Sequence, residues 1–214
     1  MNQEQVLEQA RQCGALLEGH FQLSSGLHSN RYFQCALLLS DPLRAEKLAR
    51  SVAMKLEQSA AMVVGPAMGA VIWAHEVARA LGVSSVFTER VEGEMCLRRG
   101  FELPAGLRVI VVEDVLTTGK SAREALAVVR AHGATPVAVA SIVNRSGQSD
   151  PFREEGLPYA CLAEVDVKTW EPDSCPLCAS GEVGPAIKPG SRALFSAEAP
   201  GKSSAPGSLA SPQG

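Results

Sequence analysis

The chain has 214 residues, 46% of them hydrophobic, with 23 acidic and 20 basic side chains and a net charge of −3. This length suits one α/β domain with an appendage, and the near-balanced charge gives no electrostatic case for nucleic acid or a membrane surface. No apolar stretch reaches the roughly 18 residues of a membrane span, and the polar start Met-Asn-Gln-Glu-Gln has no secretory apolar region, so a cytoplasmic protein is expected.

Residues 3 to 17 read as an amphipathic helix with Val6, Ala10, Cys13 and Leu17 on one face. His20 to Phe33, with Ser24-Ser25-Gly26 inside it, suggests a hairpin. Asp41-Pro42 is a helix start, an N-cap followed by proline in the first turn, and the helix it opens aligns Ala49, Val52, Ala53 and Leu56. Alternation follows. Ala61 to Val64 is a buried strand, Gly69 to Leu81 a helix and Val83 to Thr88 a strand. The apolar run Val109 to Val112 is another buried strand. Ala122, Ala125, Leu126 and Val129 then form a helical stripe, Val137 to Val143 is a strand, and Pro158 to Glu164 adds another. Strands alternating with helices imply a parallel sheet flanked by helices. After Arg192 the composition turns to Ala, Ser, Pro and Gly, so 193–214 is expected to be a disordered tail.

The densest chemistry lies in residues 109 to 121, Val-Ile-Val-Val-Glu-Asp-Val-Leu-Thr-Thr-Gly-Lys-Ser. A buried strand runs into two adjacent carboxylates, then into a small polar turn, then into a helix. Such a turn aims backbone N–H groups and a helix N-terminus at one spot, which is an anion site. Glu113 and Asp114 at its mouth are suited to accept hydrogen bonds from sugar hydroxyls or to help hold hydrated Mg2+. A nucleotide P-loop is excluded, because the glycine it needs five residues before Gly119 is Asp114 here. An ordinary strand-to-helix turn with an acidic bias is the plain alternative. Gly65 to Gly69, Glu89-Arg90 and Arg145 also fall at strand carboxyl ends, where open α/β sheets bind ligands.

Glu113 to Ser121 resembles the phosphoribosyl-diphosphate signature of the type I phosphoribosyltransferases. Over residues 1 to 192 the chain is similar to the orotate phosphoribosyltransferases among them. Phe21-Gln22-Leu23-Ser24-Ser25-Gly26 with Tyr32-Phe33, Gly65-Pro66-Ala67-Met68-Gly69, Glu89-Arg90 and Val143-Asn144-Arg145 carry the rest of the likeness. The resemblance implies a single phosphoribosyltransferase domain over 1–192, with 1–40 and 165–192 contributing a small hood. It implies transfer of ribose 5-phosphate from 5-phosphoribosyl 1-diphosphate (PRPP) to orotate, with Mg2+ as cofactor. Glu113 and Asp114 would hold the ribose hydroxyls, and Val115, Leu116, Thr117, Thr118, Gly119, Lys120 and Ser121 the 5-phosphate. Pro66, Ala67, Met68 and Gly69 would approach the diphosphate. Arg145 and Thr117 would contact orotate. Asp114, Glu113 and Arg90 would be the catalytic residues.

The resemblance further implies a homodimer whose 89–101 loop reaches the neighbouring site and brings Arg90 to the diphosphate. Glu94 stands where relatives commonly have lysine, the loop lacks a histidine that many carry, and Ser24 stands where many place lysine. Arg98 or Arg99 is the available substitute. A different acceptor base, or a regulatory protein that senses PRPP without turnover, is the competing reading. Cys175-Pro-Leu-Cys178 has the spacing of a zinc knuckle, but no second cysteine pair completes four ligands. Structural cysteines are therefore expected, with metal or redox roles as the alternatives, and no protein residue is assigned as a metal ligand.

Overall fold

The first helix, α1 (Gln3–Gln12), opens on a capping box, in which the Asn2 side chain accepts from the Gln5 amide and the Gln5 side chain from the Asn2 amide. It ends well before residue 17. Gly14 takes a left-handed turn at φ 71°, and the Ala15 amide closes back onto the Ala10 carbonyl at 2.8 Å. The apolar residues beyond are drawn into β1 (Leu16–Gln22), which pairs antiparallel with β2 (His28–Phe33), so the expected hairpin starts earlier than its sequence signal. A computed structural model supplies this fold and describes residues 1–23 and 25–189. Ser24 and the low-complexity tail at 193–214 lie outside the described residues.

A short α2 (Cys35–Leu39) precedes α3 (Pro42–Ala53), whose N-cap Asp41 accepts from the Leu43 amide at 3.0 Å. The main sheet contains β3 (Met62–Pro66), β4 (Ser84–Val91), β5 (Glu94–Leu97), β6 (Arg108–Leu116), β7 (Thr135–Asn144) and β8 (Tyr159–Glu164). Their order is β5-β4-β3-β6-β7-β8, parallel throughout except for the antiparallel β4–β5 pair. From central β3 the chain first builds outward to β4 and β5, then returns to β3's other side for β6. The direction of winding thus reverses between β3 and β6, and the two loops leaving these strands diverge to leave a crevice.

Both faces of the sheet are covered. Val63, Ile110 and Val112 pack with Val6, Leu48 and Trp73, the last on α4 (Ala70–Leu81). Val64, Val109 and Val111 pack with Ala122, Leu126 and Val129 of α5 (Lys120–Ala131), together with Phe152. Alternate residues of a strand point to opposite faces, which is why 109–112 is apolar at every position. A second sheet, ordered β1-β2-β9, joins the N-terminal hairpin to β9 (Thr169–Trp170). Beyond β9 lie a single 3-10 turn and α6 (Pro176–Ser180), and Ile187 then bridges to Phe21 of β1. No helix among the described residues is long and apolar enough to cross a membrane.

Trp73 is fully buried between α4 and the sheet. Trp73→Ala is expected to cost about 3–5 kcal/mol of stability, measured by denaturant unfolding, because removing a fully buried indole forfeits its burial and leaves a large void.

Candidate active site

The acid pair is held by the sheet. The strand expected to stop at Val112 continues to Leu116, with Glu113 opposite Ser141 and Val115 opposite Val143 on β7. Alternation therefore sends Glu113 and Asp114 to different sides of a rigid strand end. Asp114 Oδ1 accepts from the Val115 amide at 2.8 Å. The turn after β3 presses against it from across the crevice. A Cβ at Gly69 would lie 2.6 and 2.8 Å from the Asp114 carboxylate oxygens, and one at Gly65 would lie 2.7 Å from the Ala70 carbonyl and 2.9 Å from Ala74 Cβ. Only glycine lets this turn meet the acid and lets α4 meet β3. Between them Pro66 is buried, the Ala67 amide donates to the Thr88 carbonyl at 2.7 Å, and the Ala67–Met68 peptide is cis.

Burial, and then the charge of Asp114 beside it, pushes the Glu113 carboxyl up to about 8. Burial raises Asp114 too, opposed by hydrogen bonds from the Val115 amide and its own. No cation offsets either shift, and Glu113 Oε2 is buried without a hydrogen-bond partner among the described residues. Two adjacent carboxylates with an unsatisfied oxygen form a hard-oxygen donor set, fitted to hydroxyl donors and to a hydrated Mg2+.

Thr117 and Thr118 are exposed and lead into Gly119, which sits at φ 75°. No side chain caps α5; Thr118 Oγ1 makes one contact, accepting from the Lys120 amide at 3.3 Å. The back of this turn is braced by Arg123, which sequence reasoning did not single out. Its guanidinium donates to the Thr118 carbonyl (2.9 Å), the Pro151 carbonyl (2.6 Å) and Glu155 (2.5 Å), and lies over the Phe152 ring. Of the nine residues in the motif, Leu116 turns its side chain into the core on one face of the sheet and Val115 packs against the core on the other, so any contact from these two to a phosphate is through backbone. Lys120 and Ser121 begin α5.

Arg145 follows β7, and its amide donates to the Leu116 carbonyl at 2.8 Å, which ties it to the end of β6. Asn144, buried beside it, shapes the turn by donating to the Gln148 carbonyl and accepting from the Ser146 amide and hydroxyl. A cavity of about 740 Å3 is lined by Arg145, Thr117, Thr118, Tyr32, Ser25 and Thr169, among others. Burial lowers the Arg145 pKa, while the nearby Tyr32 opposes this, and no carboxylate among the described residues forms an ion pair with it. The cavity therefore offers a half-buried, unpaired guanidinium to an anion.

Residues 89–101 are more ordered than a lid loop. They include the hairpin of β4 and β5, with its tip at Glu92 and Gly93. Arg90 is drawn away from the acid pair: it donates to the Gly93 carbonyl at 2.9 Å and grips Glu124 of α5 with both terminal nitrogens. Arg99 pairs with Glu89 at 2.9 Å and Arg98 lies 3.8 Å from the same carboxylate. Each candidate loop cation thus has an acidic partner within the chain, and Glu94 is exposed at the start of β5.

A raised carboxyl has a testable consequence. Between its ordinary 4.5 and about 8, Glu113 is protonated in the folded chain and ionised in the unfolded one, so unfolding releases a proton. Stability from this group is full below the lower value and falls as pH rises through the window. Glu113→Gln keeps the uncharged form, so the ligand-free variant is expected to melt higher than the parent near pH 8 and close to it near pH 5. The gap is roughly 2–4 °C per kcal/mol relieved. Thermal melts across that range check it, and a gap independent of pH would refute the shift.

Comparison with known proteins places these features. The family model described as "Phosphoribosyl transferase domain" matches residues 39–174. The orotate phosphoribosyltransferase of Carboxydothermus hydrogenoformans is 54% identical over 181 residues, covering 83% of this chain and 92% of that one. Its counterpart from Desulforamulus reducens is 47% identical over 195 residues, covering 91% and 100%. Among solved structures, orotate phosphoribosyltransferase from Aeropyrum pernix aligns at a TM-score of 0.63 and 26% identity, over 75% of this chain and 93% of that one. The Mycobacterium tuberculosis H37Rv enzyme in complex with PRPP aligns at 0.59 and 26%, over 75% and 94%. Agreement of this extent in both sequence and fold makes the chain a member of the orotate phosphoribosyltransferase family.

Proposed function

We propose that the chain transfers the ribose 5-phosphate group of PRPP to orotate, giving orotidine 5′-monophosphate and diphosphate, as a cytoplasmic enzyme of pyrimidine synthesis. The observation that carries the choice of base is the unpaired Arg145 guanidinium in the cavity beside Thr117. A carboxylated pyrimidine supplies the anion that a fork of this geometry matches, and a neutral base would leave the charge half-buried and unmatched.

In the reaction the C1–O bond to diphosphate breaks, a bond from a ring nitrogen of orotate to C1 forms, and the proton of that nitrogen is released to the departing diphosphate or to water. Positive charge grows on the ribose while negative charge grows on the leaving group. The turn Thr117–Gly119 and the start of α5 hold the 5-phosphate, braced from behind by Arg123. Glu113 and Asp114 accept hydrogen bonds from the two ribose hydroxyls, which answers the unpartnered oxygen of Glu113. Pro66 to Gly69 approach the diphosphate with backbone, since Gly69 has no side chain to intervene. Glu113 and Asp114 would hold a hydrated Mg2+ beside the ribose hydroxyls, where the ion would supply positive charge to the leaving diphosphate. The β1-β2-β9 sheet acts as a hood that excludes water from the base.

The assembly consistent with this reading is a homodimer in which the β4–β5 hairpin serves the neighbouring site. Arg90 then has to exchange Glu124 for the diphosphate, so that the ion pair seen here is the resting position of a cation needed only during transfer.

Two expectations follow from this assignment. Arg145→Ala is expected to raise the KM for orotate by about 10–100-fold, the loss of a charged hydrogen bond worth roughly 1.5–3 kcal/mol, while PRPP affinity measured by calorimetry stays within twofold. Turnover of uracil or hypoxanthine but not orotate would overturn the choice of base. Arg90→Ala is expected to lower kcat on the order of 100-fold with little change in melting temperature, read from orotate absorbance and from thermal melts in parallel.

A further inference from the structure

Outside the cavity, the fold gathers four side chains that lie far apart in sequence. His20 comes from β1, His28 from β2, Cys175 from the residue before α6, and Cys178 from α6 itself. One ligand atom from each lies within 4.8 Å of all the others. His20 Nε2 is 3.0 Å from His28 Nδ1, 3.5 Å from Cys175 Sγ and 3.6 Å from Cys178 Sγ, and Cys178 Sγ is 3.3 Å from His28 Nδ1. A tetrahedral zinc ion with bonds of about 2.0–2.1 Å to nitrogen and 2.3 Å to sulfur sets its ligands apart by about 3.3 Å for two nitrogens and about 3.5 Å for nitrogen and sulfur. The four spacings given are within about 0.3 Å of these, and the other two pairs, Cys175 with Cys178 and with His28, lie within 4.8 Å. We propose that His20, His28, Cys175 and Cys178 form a structural zinc site that staples the C-terminal segment to the N-terminal hairpin.

Three further observations support it. First, the His20 ring is oriented from outside: Nδ1 lies 2.9 Å from the Gly184 carbonyl, which can only accept, so Nδ1 is the donor there and Nε2 is the nitrogen that faces the cluster. Metal-ligating histidines are oriented by this kind of outer hydrogen bond. Second, His20, His28 and Cys175 are buried at 3%, 8% and 2% exposure. Burying two imidazoles against a thiol makes little sense as apolar packing, whereas two thiolates around a dication form a neutral unit that tolerates burial, with the exposed Cys178 on the solvent side of the cluster. Third, the segment 171–189 has no core of its own. Cys175 is its single buried residue, yet the segment is laid along β1 with the Ile187 amide donating to the His20 carbonyl and the Gln22 amide to the Ile187 carbonyl. A short stretch without apolar anchorage needs another tether, and metal binding supplies folding free energy directly.

All four positions are filled by protein, as in a structural rather than a catalytic zinc site. Two thiolates and two imidazoles in tetrahedral array favour zinc over magnesium or calcium, which take oxygen ligands. The site also reaches the cavity: His28 pairs with Trp170 across β2 and β9, and Thr169 on β9 lines the cavity with Ser25 and Tyr32. Loosening the staple is expected to weaken orotate binding, a consequence that rests on the proposed function; the metal site itself does not.

The test is elemental analysis of the full chain purified under reducing conditions without chelator. About one zinc per chain is expected, falling to near zero in Cys178→Ser and in His28→Ala, and unchanged in His75→Ala, whose side chain is outside the cluster. Should those variants fold poorly, the parent is stripped with a chelator and titrated with Co2+. One equivalent is expected to give the visible absorption of tetrahedral thiolate-bound cobalt and to restore the melting temperature. Orotate KM is read alongside, so a stoichiometric zinc with unaltered KM keeps the site and overturns only its link to the hood. A parent chain that holds no zinc and takes up no Co2+, or variants that retain the metal, would overturn the site.

Discussion

Two carboxylates without a cation, at the buried end of β6, are the constraint around which the rest of the molecule is arranged. Burial alone disfavours Glu113 and Asp114 as anions, and the side chains around them supply no positive charge. A fold that served only its own stability would replace one or move a lysine beside them. Instead the strand is extended past them, Gly69 is brought to within side-chain distance of Asp114, and an oxygen of Glu113 is left unserved. The energetic deficit sits where the ligand's hydroxyls and metal are to arrive, so part of the binding energy is the relief of an existing strain on charge.

The position of the deficit follows from topology. Because the chain winds outward from β3 and then returns to β3's other side, the loops after β3 and β6 part from each other and leave a crevice lined by backbone. Glycine at 65 and 69 closes that crevice to the width of a ligand, the first by letting α4 approach β3 and the second by letting the turn approach the acid. Arg123 then stiffens the neighbouring turn from the side away from the ligand. The loop cations are kept one step removed, Arg90, Arg98 and Arg99 resting on Glu124 and Glu89, and among the described residues lining the cavity Arg145 is the one cation, without a carboxylate partner.

The small sheet and the segment after it obey a different logic. The sheet is anchored through Leu16 and Phe33, which join the main core, whereas the segment after it buries Cys175 alone, and the histidine–cysteine cluster stands where its core would be. An element that covers a binding cavity benefits from being fixed by a few strong directional bonds rather than by many weak contacts. It can then be thin and close to the ligand without being loose.

Local signals in the chain were enough to place the parallel sheet, the acid-pair turn and the helix after it, because apolar runs and glycine turns act over a few residues. The acid pair also stood out from local pattern, as two carboxylates closing an apolar run, whereas Gly69 and Arg145 were singled out by the family resemblance together with their place at strand ends. Local signals failed where neighbours in space outweighed neighbours in sequence. The first helix stopped at Gln12 because β2 claimed the residues beyond, and the 89–101 loop became a hairpin because β4 had a free edge. Arg90 went to Glu124, 34 positions away, and Arg123 to the turn's far side, which no spacing rule encodes. The cysteine pair shows the division most clearly. Sequence supplied two ligands and the requirement for four, but His20 and His28 lie about 150 residues earlier in unremarkable surroundings. Only the folding of the hairpin onto the C-terminal segment brought them within reach, since ligand geometry is a property of distances that the chain acquires when it closes on itself.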